Sequence, residues 1–236
     1  MQTRTMEHHG SATVRSRLRE AVFGTQDGLI STMGALTGIA AGTQDARPVV
    51  IAGFVIIVVE SLSMAAGSYL SSKSQREYLE RLLREEEEEI ANEPEKERQE
   101  IVEMYRSRGY APNEVEIIAN RLMSNPKLLL EDMAHKELGI FPDAMEDPLG
   151  NALVMGITYV GGGLVPVIPY LMLPISTAMP ISVVGTLVVL FLFGGLKGRV
   201  VRQSWWRSGL EMLSIAGLAA LAGFFIGRAV DTWILR

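Results

Sequence analysis

The chain contains no cysteine, which removes disulfides, thiolate metal sites and cysteine nucleophiles as explanations for its chemistry. Histidine is nearly as scarce, with His8 and His9 near the N-terminus and His135 far along the chain. A di-iron carboxylate oxidase draws a Glu-x-x-His motif from each of two helices. The nearest approach here is Asp132-x-x-His135, which occurs once, so an enzyme of that class is set aside and no prosthetic group is expected. Basic stripes interleaved with aromatics are also missing, which argues against nucleic acid as a partner. No short apolar segment followed by a small-residue cleavage site opens the chain. The first apolar run, from about Ala21, therefore reads as retained.

Charge is absent from one long stretch. Pro148 to Leu196 holds no Asp, Glu, Lys or Arg, although charged residues make up 21% of the chain. The charge lies instead between Lys73 and Asp147, and the net charge of −5 comes largely from that Glu-rich region. A lipid-facing segment requires so long an uncharged run; a water-soluble core does not.

These patterns predict an all-α integral membrane protein with five transmembrane helices and a cytosolic helical domain between the second and third. The first span runs roughly from Arg19 to Gly42 and the second from about Pro48 to Leu70. The uncharged stretch is about twice the ~20 residues of one span, so it reads as two helices, broken around Pro166, Pro169, Pro174 and Pro180. The fifth span lies near Ser208 to Trp233, with Trp205, Trp206 and Trp233 as interfacial anchors. The domains expected are an N-terminal tail (1–18), partly disordered, spans one and two (19–72), the helical insert (73–147) and spans three to five (148–236).

Basic residues orient the chain. Residues 1–19 carry four Arg, the insert eleven Lys or Arg, and the fourth-to-fifth connection Lys197, Arg199, Arg202 and Arg207. The opposite connections carry only Arg47. This bias puts the N-terminus and the insert on the cytosolic side. The absence of a targeting extension favours a prokaryotic cytoplasmic membrane over a vacuolar one. Gly34, Gly38 and Gly42 in the first span would allow close helix packing.

Within the insert, Ser71 to Glu93 continues helically from the second span. Pro94 suits the first position of a new helix that Gly109 can cap. Pro112 opens another, ending near Ser124-Asn125-Pro126, and a last helix from Lys127 stops at Gly139. Glu86 and Glu89, then Glu97 and Glu100, are each spaced i, i+3 and share a helix face. Pro94 between the pairs lets the helices fold back, so that four carboxylates converge on a divalent cation that relieves their repulsion. Solvated Glu-rich surface is the simpler alternative. Met133 and Glu137 add a thioether and a carboxylate on one face, which favours borderline transition metals such as Fe2+ over Ca2+ or Mg2+, with Mn2+, Zn2+ and Co2+ as further candidate ions. Taken alone, the pair is better explained by a core Met and an exposed Glu.

In the spans, Asp27 and Glu60 are ionisable residues in lipid-enclosed helices, where a charged carboxylate costs at least ~2.5 kcal/mol. No Lys or Arg lies in residues 20–42 or 48–70 to pair with them. Met64 stands one turn after Glu60, on the same face. Together they form a stepping site for a divalent cation, with protons competing for the carboxylates. Alternatively, Asp27 caps the first helix at the interface.

At these residues the chain resembles the vacuolar iron transporter family, also called the CCC1-like group. The likeness rests on Val22-Phe23-Gly24-Thr25-Gln26-Asp27-Gly28-Leu29-Ile30-Ser31-Thr32 and on Ser63-Met64-Ala65-Ala66-Gly67-Ser68-Tyr69-Leu70-Ser71. The insert adds Glu93-Pro94-Glu95-Lys96-Glu97-Arg98, Tyr105, Gly109 and Glu137-Leu138-Gly139. The resemblance implies a five-span homodimer in the lipid bilayer that exchanges Fe2+, and often Mn2+, for protons and moves metal out of the cytosol. It implies Glu86, Glu89, Glu97, Glu100, Met133 and Glu137 as metal ligands and Asp27 and Met64 as translocation positions at the dimer interface, with Glu60 nearby. Two positions depart from the pattern. Ala134 stands where some relatives have a second Met, and Ser68 where the plant-like pattern has Glu. A membrane-tethered metal sensor or buffer without transport is the alternative reading.

Overall fold

A computed structural model of the chain describes residues 3–43, 45–141 and 145–233. Its elements are all helical: α1 (Thr3–Gly42), α2 (Ala46–Asn92), α3 (Pro94–Ser107), α4 (Pro112–Met123), α5 (Pro126–Lys136), α6 (Pro148–Met172), α7 (Ile175–Val200) and α8 (Trp205–Trp233). Among the described residues there is no strand. The chain divides into two compact units, one of residues 14–70 and 148–236, the other of residues 1–13 and 71–147. The helix α2 supplies residues to both.

Four helices are long and apolar enough to cross a membrane: α2, α6, α7 and α8 over Trp205–Ile226. The chain is an integral membrane protein. The expected first span, α1, falls outside this set because Gln26, Asp27, Ser31, Thr32 and Thr37 dilute its apolar run. Its N-terminus also differs from expectation, since the helix begins at Thr3 and not near Arg19. The side chains of His8, His9 and Trp233 lie outside those described.

The apolar unit packs on two clusters. One joins Leu36, Val49, Ile57, Val167, Tyr170 and Ala178; the other joins Leu29, Met33, Leu190 and Ala216. Close approach of α1 to α6 depends on glycine. A Cβ at Gly28 would stand 2.3 Å from the Tyr159 carbonyl oxygen, and one at Gly162 would stand 2.4 Å from that of Thr25. The break expected among four prolines occurs only at Leu173–Pro174. Pro166 and Pro169 lie inside α6 and Pro180 inside α7. In apolar surroundings the helix is the only economical state for backbone polar groups, so proline is absorbed within it. Ser182 Oγ also donates to the Pro166 carbonyl at 2.7 Å, tying α7 to α6.

In the second unit, α3, α4 and α5 each start on a proline, whose missing N–H costs nothing in a first turn. Gly109 and Gly139 have φ of +88° and +65°, the left-handed conformation that ends α3 and follows α5. The core consists of Ile101, Tyr105, Val115, Ala119, Leu122, Leu129 and Met133. This core makes α3, α4 and α5 a folded bundle.

Candidate functional site

The second unit brings Glu86, Glu89, Glu97, Glu100 and Glu137 within electrostatic reach of one another. Glu97 is wholly buried and Glu86 is 6% exposed. Neither oxygen of Glu97, nor Oε1 of Glu86, has a hydrogen-bond partner. A buried, unsatisfied carboxylate is expensive, and proteins rarely keep one without a ligand to meet it. Burial first, then repulsion from Glu137, Glu97, Glu89 and Glu100, pushes the Glu86 carboxyl up to about 7. Glu97 is likewise pushed to about 7 by burial, then by Glu100, Glu137 and Glu89. Lost hydration followed by the charges of Glu100 and Glu89 raises Glu137.

The remaining residues differ in role. Lys96 lies among the acids, 2.9 Å from Glu89 Oε2 and 3.6 Å from Glu100 Oε1. Its bond to Glu89 is the main reason that its own pKa is raised. A tethered monovalent cation therefore already offsets part of the charge of the outer acids. Met133 is fully buried within the helical core, so its sulfur is enclosed. Among the described residues no three His, Asp or Glu side chains are drawn together tightly enough to hold a metal ion. The acids are assembled in a neighbourhood and not yet closed into a cage.

Tyr105 and Asp132 buttress this unit. The Tyr105 hydroxyl donates to Asp132 Oδ2 at 2.9 Å and accepts from Lys136 Nζ, and Lys136 also lies over the Tyr105 ring. This linkage ties α3 to α5 beside Glu137. Sequence spacing does not reveal it, because Tyr105 and Lys136 are 31 positions apart.

In the apolar unit, Asp27 is half-buried on α1 and within Coulombic reach of Glu60 on α2. Met64 is half-buried one turn from Glu60. Ser31 Oγ gives its proton to the Asp27 carbonyl at 2.7 Å. In its 2.6 Å contact with Tyr159, the tyrosine hydroxyl must therefore be the donor. Tyr159 is wholly buried and feels both Asp27 and Glu60. Thr32 Oγ1, next to Ser31, is buried beside the same tyrosine hydroxyl. Ser31 was legible as the i+4 neighbour of Asp27, but Tyr159, in an apolar helix, gave no such signal. Glu60 is exposed on a single chain, in a stretch of α2 where Val55, Val58, Val59 and Leu62 are exposed as well.

One turn pair before Asp27, Glu20 is 6% exposed and fully engaged. Its Oε2 accepts from Ser68 at 2.9 Å, and its Oε1 pairs with Arg19 at 2.9 Å. The carboxylate beside Ser68, where the plant-like pattern has Glu, is therefore that of Glu20.

The family model described as VIT family matches residues 18–228, nearly the whole chain, both units included. The chain belongs to the VIT family. It is 32% identical to Vacuolar iron transporter 1 of Arabidopsis thaliana over 229 residues, which cover 96% of the chain and 92% of that relative. It is 34% identical to Vacuolar iron transporter 2 of Oryza sativa subsp. japonica, over 91% of the chain and 88% of the relative. A more distant similarity, 23% over 90% of the chain and 82% of the relative, joins it to Vacuolar iron transporter of Plasmodium falciparum. These matches run through the acids of both units in this VIT-family chain.

Proposed function

We propose that this protein exchanges protons for divalent metal, Fe2+ foremost and Mn2+ as a second substrate, moving metal out of the cytosol. The observation that carries this reading is Asp27 beside Glu60 in the apolar unit, with no Lys or Arg in residues 20–42 or 48–70. An acid pair without a basic partner in hydrocarbon has little purpose unless a cation or a proton passes it. Transport of iron is what the names of the relatives state. In this reading α1 also spans, as the first of five, shielded from lipid along its polar face, and the N-terminus and the Glu-rich unit are cytosolic.

The chain works as a homodimer. Glu60 is exposed on a single chain, in a stretch of α2 from Ile51 to Leu62 whose other exposed residues are apolar, and a charged carboxylate against acyl chains costs at least ~2.5 kcal/mol. A second copy covering that face encloses Glu60, Met64 and Asp27 in a shared path. Glu86, Glu89, Glu97, Glu100 and Glu137 gather metal on the cytosolic side, with the Met133 sulfur reached by a rearrangement of the core. Protons compete with metal for carboxyls that titrate near neutrality, which couples release to pH.

Metal uptake into proteoliposomes under an imposed pH gradient tests the reading. Uptake of Fe2+ that collapses with the gradient, and is lost in Asp27→Asn and Glu60→Gln, is the expected result. Saturable binding without flux would favour the membrane-tethered sensor or buffer. Full flux in both variants would remove the path through these acids.

A further inference from the structure

We propose that the groove between α1 and α7 binds one anionic phospholipid, its acyl chain along the groove and its phosphate at the basic rim. The groove is a cavity of about 420 Å³, within the range of roughly 300–1,000 Å³ for sites that enclose a small molecule. One wall is a single stripe of α1 that includes Leu18 and Val22, and the other is a stripe of α7 that includes Phe193, Leu196 and Val200. Three cations border it, Arg15 and Arg19 from α1 and Lys197 from α7, and no carboxylate lines it.

Charge selects the occupant. An apolar slot ending in two or three cations fits an amphiphile with one negative head, and basic pockets between spanning helices are where anionic headgroups settle. A second copy of the chain is a poor fit, because a two-fold contact sets the same patch against itself and would oppose six cations. Arg19 shares its guanidinium with Glu20 Oε1 at 2.9 Å, so Arg15 and Lys197 supply most of the attraction. These cations lie near the start of the apolar part of α1 and the end of α7. That is the depth of a phospholipid headgroup when both helices span.

The full chain, purified in a neutral detergent and stripped of lipid, is titrated with phosphatidylglycerol or phosphatidylcholine of identical acyl chains and read by native mass spectrometry. The expected result is one phosphatidylglycerol per chain, held about tenfold more tightly than phosphatidylcholine. The double variant R15Q/K197Q should bring phosphatidylglycerol down to the phosphatidylcholine level. Filling the groove with Val22→Trp should weaken both lipids. Equal retention of the two lipids by the wild type, unchanged selectivity in R15Q/K197Q, or unchanged retention in Val22→Trp would each overturn the site. Displacement of the lipid by inorganic phosphate alone would make it an anion site and overturn the lipid assignment. Native dimers that exclude phosphatidylglycerol while monomers bind it would give the groove to a second copy.

Discussion

Ser68 Oγ on α2 donates to Glu20 Oε2 on α1 at 2.9 Å, and this bond sets the register of the two helices. Seven residues further along α1, Asp27 comes within reach of Glu60, eight residues back along α2. The two helices therefore run antiparallel, with Met64 between the two pairings. Ser68→Ala removes the donor to a carboxylate that is 6% exposed. An unmatched buried acceptor costs about 1–3 kcal/mol. Thermal unfolding in detergent should show that loss, and metal uptake should fall with it if the register positions Asp27. A variant with unchanged stability would show that the bond contributes nothing to the helix pair.

Lys96 competes with metal. Its ammonium sits between Glu89 and Glu100 and is half exposed, so solvent screens both pairings and leaves each of them weak. Lys96→Gln should therefore tighten Mn2+ binding to the purified protein by up to about fivefold, while lowering stability without metal because the acids lose their counter-charge. Isothermal titration of wild type and variant measures the first effect. Weaker binding in Lys96→Gln would mean that the lysine organises the acids instead of opposing the ion.

Much of this arrangement was readable from residue types alone. Pro94 and Pro112 mark helix starts and Gly109 and Gly139 mark ends, because each residue has few alternative uses. Pro126, expected to close a helix, instead opens α5 one residue before the expected start at Lys127. The grouping of Glu86 and Glu89 with Glu97 and Glu100 followed from i, i+3 spacing and a proline between them. The chain break at Pro174 was not separable from Pro166, Pro169 and Pro180, since periodicity does not say which proline a lipid-facing helix will absorb. Lys96 was passed over because its partner Glu89 lies across the α2–α3 break. Glu20 and Ser68, 48 positions apart, meet only through packing of α1 on α2, for which no local signal exists.

The buried acids make stability depend on pH in a definite direction. Glu86 and Glu97 titrate near 7 in the fold, against about 4.3 for an unperturbed Glu. Between those values the folded state holds more protons than the unfolded state, so stability falls as pH rises through that window. It is fully present below the unfolded value and levels off above about 7. Without metal, denaturation followed by circular dichroism should show the Glu-rich unit less stable at pH 8 than at pH 5. Added Mn2+ should reverse that order, since a bound cation favours the ionised carboxylates. Glu97→Gln should flatten the pH slope and reduce the gain from Mn2+. A slope of the opposite sign would mean that these carboxyls are ionised and satisfied in the metal-free fold.

Tyr105 is expected to set metal affinity without touching metal. Its hydroxyl joins Asp132 to Lys136, and its own titration is pushed up by burial. Through it α3, which carries Glu97 and Glu100, is fixed against α5, which ends at Glu137. Tyr105→Phe keeps the ring in the core with Ile101 and Met133 but leaves Asp132 and Lys136 with each other alone. The loss should be about 1 kcal/mol of stability, the worth of one hydrogen bond whose partners can still pair. Looser placement of α5 should then weaken Mn2+ binding severalfold while leaving the proton-driven uptake of saturating metal unchanged. A merely structural tyrosine would lower stability and leave the binding constant alone. Calorimetric titration of Tyr105→Phe at a temperature where it is fully folded separates the two outcomes.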